Sequence, residues 1–518
     1  MTAIVDSKIE LDNENPVDPD SRSPEWIAVL MNDTQGNIIR AHGRDRSRHL
    51  FVRFGSNITG AKKWLAAAGR LWVTSAMEQW EQSRARAAEI AAARTIPEPR
   101  GEAETLDAID QNSKLFVNVM LSAKAYEALG VKKSMPKGDR SFQLGARHEK
   151  TRYKLNDPPL EEWDENFNQD FHVLVIVAHD NEVALKNAAR QVVDSVREFD
   201  AGTVVHEEIG HVMRGAARRG EAKGPVIEHF GFRDGVSNPL FFQKDIAAAD
   251  KEKVRGGVTD PRYSDPFASL NLALLPDPGA TEGGCGSYFV YRKLQQDVIA
   301  FKRDLEVLAK RLRAAAEIPR ESLDYYRDLA GAYIFGRFAD GTPVTEQSFP
   351  GLGAVNKFDY GSDTNGTRCP FVSHARKTNP RGDMKNIKQA SLSDERSRRI
   401  VRRAINYGPH TLTPKPGDDV GLLFLCAQSS IEKQFEFMRH IWCDQKDFPL
   451  VGTGMDPTIG HSKDDEKHFQ TWPRKYGEDT KDNGIKDFSI GPWVTLRGAE
   501  YFFVPSLSFL RSLHPEAS

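Results

Sequence analysis

Three short segments carry side chains whose types and spacing could do chemistry. HFGFRDGVSNP (229–239) sets Asp234 among turn-forming residues, with Gly235 beside it to let the backbone pass close to a flat ligand. An aspartate that merely caps its own turn has the same sequence. RCPFVSHARKTNPR (368–381) puts His374 in a stretch crowded by Arg368, Arg376, Lys377 and Arg381. That density of cations around one imidazole suits an anionic cofactor whose carboxylates need partners, and a solvated basic loop reads the same way. RRIVRRAINYGP (398–409) followed by GLLFLCAQ (421–428) supplies Arg402 and, on alternate strand positions, Leu422 and Phe424 on one face. A surface arginine over ordinary core fits that pattern too. Other motifs fail: HEEIGH (206–211) spaces its histidines five apart, against the four that a helical zinc site requires, and GLGAVN (351–356) lacks the third glycine of a dinucleotide fingerprint.

Strands and helices must hold these segments. HLFVRFG (49–55), SKLFVNVML (113–121), FHVLVIVAH (171–179) and TVVHEEIGHV (203–212) read as strands, and 61–94 and 181–196 as helices. The order β, α, β, then β, α, β is that of a split βαβ, ferredoxin-like unit. The second half repeats it in outline, with strands at 286–294, 421–428 and 499–506 and helices at 298–317 and 430–444. The expected fold class is α+β, two ferredoxin-like domains with antiparallel sheets. A loose tail takes residues 1–24, a first domain 25–240, a connecting segment 241–284 and a second domain 285–518. Long irregular stretches at about 241–284, 340–420 and 445–490 are where chemistry is expected.

Composition narrows the classes. Among 518 residues, 71 Lys and Arg against 73 Asp and Glu give a net charge of −2, with no basic excess to neutralise a run of phosphates, so nucleic acid is an unpromising partner. A hydrophobic share of 39% suits a globular protein, and the longest apolar runs fall far short of the ~20 residues a membrane helix needs. The N-terminus shows no secretory pattern, which points to the cytoplasm. Four cysteines without CxxC spacing argue against a disulfide framework and against a cysteine-held metal.

Together the segments resemble the dye-decolourising peroxidase family over residues from about 35 to 513: TQGNII, GFRDGVSNP, RCPFVSHARKTNPR, RRIVRRAINYGP, GLLFLCAQSSIEKQFEFMRHIW, GMDPTIG and VTLRGAEYFFVPSLSFL. The chain looks like the intracellular bacterial members related to the fungal enzymes, with Asn238 where a glutamine is common. The resemblance implies a haem peroxidase that reduces hydrogen peroxide and oxidises dyes and phenolic or other aromatic substrates through a ferryl intermediate. Haem b (iron protoporphyrin IX) would sit mainly in the second domain, with His374 as proximal iron ligand and Asp456 of GMDPTIG hydrogen-bonded to its other ring nitrogen. Asp234 would move the peroxide proton and Arg402 stabilise the outer oxygen. An aspartate in that role has a reference pKa near ~3.9, which favours acidic pH. Phe232, Arg233, Gly235, Leu422 and Phe424 would line the haem, with Arg376 or Arg381 as main propionate partner. Tyr407 matches a position that carries a surface radical, and Trp442, Trp472 and Trp493 offer parallel routes. The rival from another class is a haem-binding or iron-release protein of the same fold without peroxidase turnover. Neither a membrane nor nucleic acid is an expected partner, and the sequence is compatible with a homo-oligomer.

Overall fold

The computed structural model describes residues 10–20, 24–93, 113–217, 223–251, 258–280, 283–316, 321–463, 469–478 and 484–515. Its frame is one large antiparallel sheet. In the first half, β1 (Arg46–Phe54), β2 (Phe116–Ser122), β3 (Val173–Ala178) and β4 (Gly202–His211) lie in the spatial order β4-β1-β3-β2. In the second half, β5 (Cys285–Gln296), β6 (Val401–Arg402), β7 (Ile405–Tyr407), β8 (Gly421–Gln428) and β9 (Val494–Val504) repeat that pattern as β9-β5-β8-β7, with β6 on β8. Leaving β6 aside, the order fourth, first, third, second is shared by both halves.

The halves do not stand apart as two separate sheets. β2 pairs with β9 through Ser122 and Phe502, and β4 pairs with β7 through His211 and Asn406, so the sheet closes into a barrel. Closure leaves neither half with a free outer edge, which removes the exposed backbone groups an open sheet presents. VLVIVA of β3 is buried at every position, as a strand flanked on both sides and covered on both faces must be. Helix α3 (Glu182–Glu198) starts at Asn181, whose side chain accepts from the Ala184 N–H, and it buries Leu185, Ala188, Ala189, Val192 and Val196 along one stripe.

Several elements differ from expectation. The single helix expected over 61–94 is two, α1 (Ile58–Leu71) and α2 (Ala76–Ala93). The break occurs because Thr74 gives its N–H to the Val117 carbonyl and its carbonyl to the Gly36 N–H, so those groups leave the helical ladder. Residue 94 lies outside the described residues, as do 1–9 and 21–23 of the expected tail. The described part of that tail is anchored: Val17 is buried, and it exchanges backbone hydrogen bonds with Phe241 and Gln243. α4 (Val298–Ala315) matches expectation, but α5 (Leu323–Phe335) was not foreseen. The stretch 340–420, expected to be irregular, holds α6 (His374–Thr378), two further short helices and strands β6 and β7. The helix expected at 430–444 is wound into π turns at Ile431–Phe435 and Met438–Cys443, and β9 begins at Val494, five residues early, with a bulge between Leu496 and Gly498.

Candidate active site

One cavity gathers residues from all three motif segments. One wall is barrel: Arg292, Leu294 and Gln296 of β5, Leu422 and Phe424 of β8, and Val494 and Leu496 of β9 alternate along three adjacent strands, so their side chains share a face. Over that wall lie the 228–239 loop, α6, the 398–404 segment and the 456–461 turn, which contribute Asp234, His374, Arg402 and Ile459 among others.

His374 opens α6. The preceding residue, Ser373, is buried and donates its hydroxyl to the Tyr333 carbonyl in the last turn of α5, at 2.5 Å. α5 is itself fixed by Ser322 at its start and by Gly336, in the left-handed region, at its end. His374 Nδ1 and Asp456 Oδ2 are 2.8 Å apart, and Asp456 also accepts from the Thr458 and Ile459 N–H groups. Burial alone would push the Asp456 carboxyl up, but the imidazole and the two backbone donors hold it below the usual carboxylate range. With Nδ1 committed to a carboxylate, Nε2 is the ring nitrogen left for a ligand, and among the described residues no hydrogen bond reaches it.

Asp234 is half-buried, and its Oδ1 accepts from the Gly235 N–H at 2.6 Å. Arg402, half-buried on β6, donates its Nη2 to the Val236 carbonyl two residues beyond Asp234. Neither Asp234 nor Arg402 is in an ion pair among the described residues, so a carboxylate and a guanidinium face one cavity without neutralising each other. Arg403, the next arginine in line, turns away to the Asn37 and Ile38 carbonyls.

The remaining expectations divide. Phe232, Arg233, Leu422, Phe424 and Arg381 line the cavity. Gly235 does not; its φ of 74° is what its glycine serves, and a Cβ there would meet no atom within 4 Å. Arg376 as a propionate partner is corrected. It is 1% exposed and gives Nε and Nη2 to Asp383, Nη1 and Nη2 to Asp363, and Nη1 also to the Cys369 carbonyl, so its guanidinium is spent within the fold. Lys377 likewise turns inward, to the Gln445 and Phe448 carbonyls, and burial pulls its ammonium down to about 8. Tyr407 as a surface radical site is also corrected: it is 4% exposed, its hydroxyl donates to Asp419 Oδ1 at 2.9 Å, and Lys293 covers its ring. Trp442, Trp472 and Trp493 are buried too.

Sequence reasoning missed three contributors. Arg399 lines the cavity with its donors on the Arg396, Asp265 and Phe267 carbonyls, and burial lowers it to about 9. Ser237 accepts from both Arg337 and Arg381, at 2.9 and 3.0 Å, tying the Asp234 loop to the cationic rim. Asn238, standing where a glutamine is common, accepts from the Arg402 N–H at 3.1 Å and so splints β6 to the same loop. Only its position between Asp234 and a proline hinted at this.

The chain is similar to known proteins along most of its length. Residues 33–218 match the family described as the DyP dimeric alpha+beta barrel domain. The chain is 35% identical over 507 residues to the multifunctional dye peroxidase DyP2 of Amycolatopsis sp., covering 94% of this chain and 96% of that protein. It is 31% identical to the dye-decolorizing peroxidase msp1 of Mycetinis scorodonius, over 77% of this chain and 76% of the other. Among solved structures, the DyP-type peroxidase AnaPX of Anabaena sp. superposes with a TM-score of 0.81 at 36% identity, covering 98% of this chain and all of the other. Similarity of this extent, over a closed α+β barrel whose cavity unites Asp234, His374 and Arg402, establishes that the chain belongs to the DyP-type peroxidase family.

Proposed function

We propose that this cavity is the haem and peroxide site of a dye-decolourising-type peroxidase, an oxidoreductase that consumes hydrogen peroxide and oxidises dyes and phenolic or other aromatic compounds. The observation that carries the assignment of roles is His374, held through Nδ1 by buried Asp456, in one cavity with Asp234 and Arg402, neither of which is in an ion pair among the described residues.

The donor set fits a haem. An imidazole whose other nitrogen bonds a carboxylate is a basic, oriented axial ligand. Apolar groups such as Leu422, Phe424, Phe338 and Ile459 suit the macrocycle, and Arg381 at the cationic rim suits a propionate. Haem b matches this set, because it needs no thiol attachment and Cys285, Cys369, Cys426 and Cys443 are all buried free thiols. Most of these groups lie beyond residue 284, which supports two ferredoxin-like units, 25–240 and 285–518, with haem held mainly by the second. When bound, haem supplies the redox chemistry that splits the O–O bond and passes oxidising equivalents to an aromatic substrate.

The chain's own groups do the rest. Asp234 takes the proton from one peroxide oxygen and returns it to the other, so that water leaves. Arg402 stabilises the negative charge that develops on the departing oxygen. Leu422 and Phe424 narrow the pocket, which admits a small peroxide more readily than a dye. A charged acid–base pair is not required for haem carriage alone, which favours turnover over a carrier or iron-release role. Among the described residues no helix is long and apolar enough to cross a membrane.

Stopped-flow spectroscopy of the haem-loaded protein tests the roles. Asp234→Asn cannot shuttle a proton and Arg402→Leu removes a fixed cation, so each slows the spectral change after peroxide mixing by ~10²-fold to ~10³-fold while haem content is kept. Wild-type kinetics in both variants would overturn the assignment.

A further inference from the structure

The turn that carries Asp234 hides a second carboxyl that the peroxide chemistry above does not use. Glu228 is 8% exposed and lines the same cavity. Its Oε2 accepts from the Phe230 N–H at 2.8 Å and from Gln296 Nε2 at 2.5 Å, and its Oε1 accepts from the Phe232 N–H at 2.9 Å. Its own N–H returns to the Phe232 carbonyl at 3.0 Å. The side chain is therefore the clasp of residues 228–232, which end one residue short of Asp234. Asp234 is in turn held by its N–H to the Val226 carbonyl at 3.0 Å.

Among the described residues no cation pairs with Glu228. The charged group that acts on it is Asp234, and the neighbour from β5 is the neutral Gln296. Arg292, on the same face of β5, is committed to Asp157. Arg233, Arg337, Arg402, His374 and His461 face the same cavity from the surrounding loops and are not bonded to Glu228. Gln296 Oε1 is buried and has no partner. That atom is the acceptor a protonated Glu228 needs: rotation of the Gln296 amide exchanges a donor for an acceptor at the shared contact.

We propose that Glu228 is an ionisable positioning residue of the peroxide pocket: as the neutral acid, bonded to Gln296, it braces the turn that presents Asp234, and as the anion it sets a second negative charge beside Asp234 and opposes peroxide cleavage. The proposal rests on the reading of Asp234 as the proton shuttle. Burial comes first in pushing the Glu228 carboxyl up to about 7, and Asp234 adds to it. Above neutral pH Glu228 gains its charge. The negative charge that develops on peroxide then meets an added repulsion, which weakens what Arg402 supplies.

The experiment follows peroxide cleavage in the haem-loaded protein by stopped flow from acidic to alkaline pH, for wild type, Glu228→Gln, Gln296→Leu and Asp234→Asn. A parallel readout is the infrared difference spectrum of each protein without peroxide. The expected wild-type rate falls several-fold as pH rises through neutrality. Glu228→Gln keeps its rate there and loses the carboxylic C=O band that disappears from wild type over the same range. Gln296→Leu, which keeps the acid but removes its partner, moves both transitions together; it carries the test if Glu228→Gln does not fold. A wild-type pH profile in Glu228→Gln, or an unchanged infrared difference spectrum, would overturn the proposal. A fast Asp234→Asn would instead overturn the underlying reading, and the infrared titration would still report on Glu228.

Discussion

At the scale of single residues, type and place proved separable. Arg376 and Arg381 stand five apart in one basic run, and nothing in the run tells them apart. Their partners do: Asp363 and Asp383 enclose Arg376 between the rings of Tyr360 and Phe371, whereas Arg381 reaches the cavity over Phe358. Arg376→Leu should therefore act on the fold. It strands two buried carboxylates, and breaking a buried ion network in this way typically costs about 3–5 kcal/mol. Chemical denaturation measures it, and a loss below ~1 kcal/mol would show that the network is not structural. His374 and Arg402 were legible because they sit in motifs of fixed order. Tyr407 misled because burial depends on Asp419 and Lys293, which come to it from elsewhere in the chain.

At the scale of elements, strands were easier to read than the helices that seat the site. β3 and β8 are continuous apolar runs of strand length, and both appear where expected. α5 was missed although Ser322 and Gly336 mark its ends, because LDYYRDLAGAYIF mixes aromatic, charged and small residues and shows no clean stripe. It nevertheless positions His374. Gly336 has a φ of 82°, and a Cβ there would stand 3.0 Å from the Cβ of Ala375, the residue after His374. Gly336→Ala should cost more than ~1 kcal/mol, through left-handed strain and the close approach. It should also speed haem loss by shifting α6. Thermal melting with a haem-transfer assay checks both, and unchanged haem retention would mean that α6 is seated independently of α5. The break between α1 and α2 was illegible locally, since its cause is the pairing of Thr74 with Val117 and Gly36.

At the scale of the molecule, closure of the barrel was beyond the sequence: each half shows its own strand order, but the edge pairings of β2 with β9 and β4 with β7 join residues hundreds of positions apart. The folded state also sets a pH dependence. Glu395 is buried and clasps the Gly382 and Met384 N–H groups, and burial raises its carboxyl to about 7. The folded protein thus binds this proton more tightly than the unfolded chain, whose glutamates titrate near ~4.3. Its contribution to stability is present below that value and declines as pH rises toward about 7. Asp456, held low, has the opposite sign: its contribution is lost as pH falls through its folded value. The Tm of wild type should therefore fall relative to that of Glu395→Gln as pH rises over that window, and parallel curves would contradict it.

Whether the cavity binds haem through His374 is read from the haem absorption spectrum of the purified protein supplied with haem, against that of His374→Ala. Wild type should show an intense Soret band that responds to peroxide, and the variant should lose stable haem, because no other histidine lining the cavity has Asp456 behind it. Full haem occupancy with an unchanged spectrum in His374→Ala would contradict haem binding through His374.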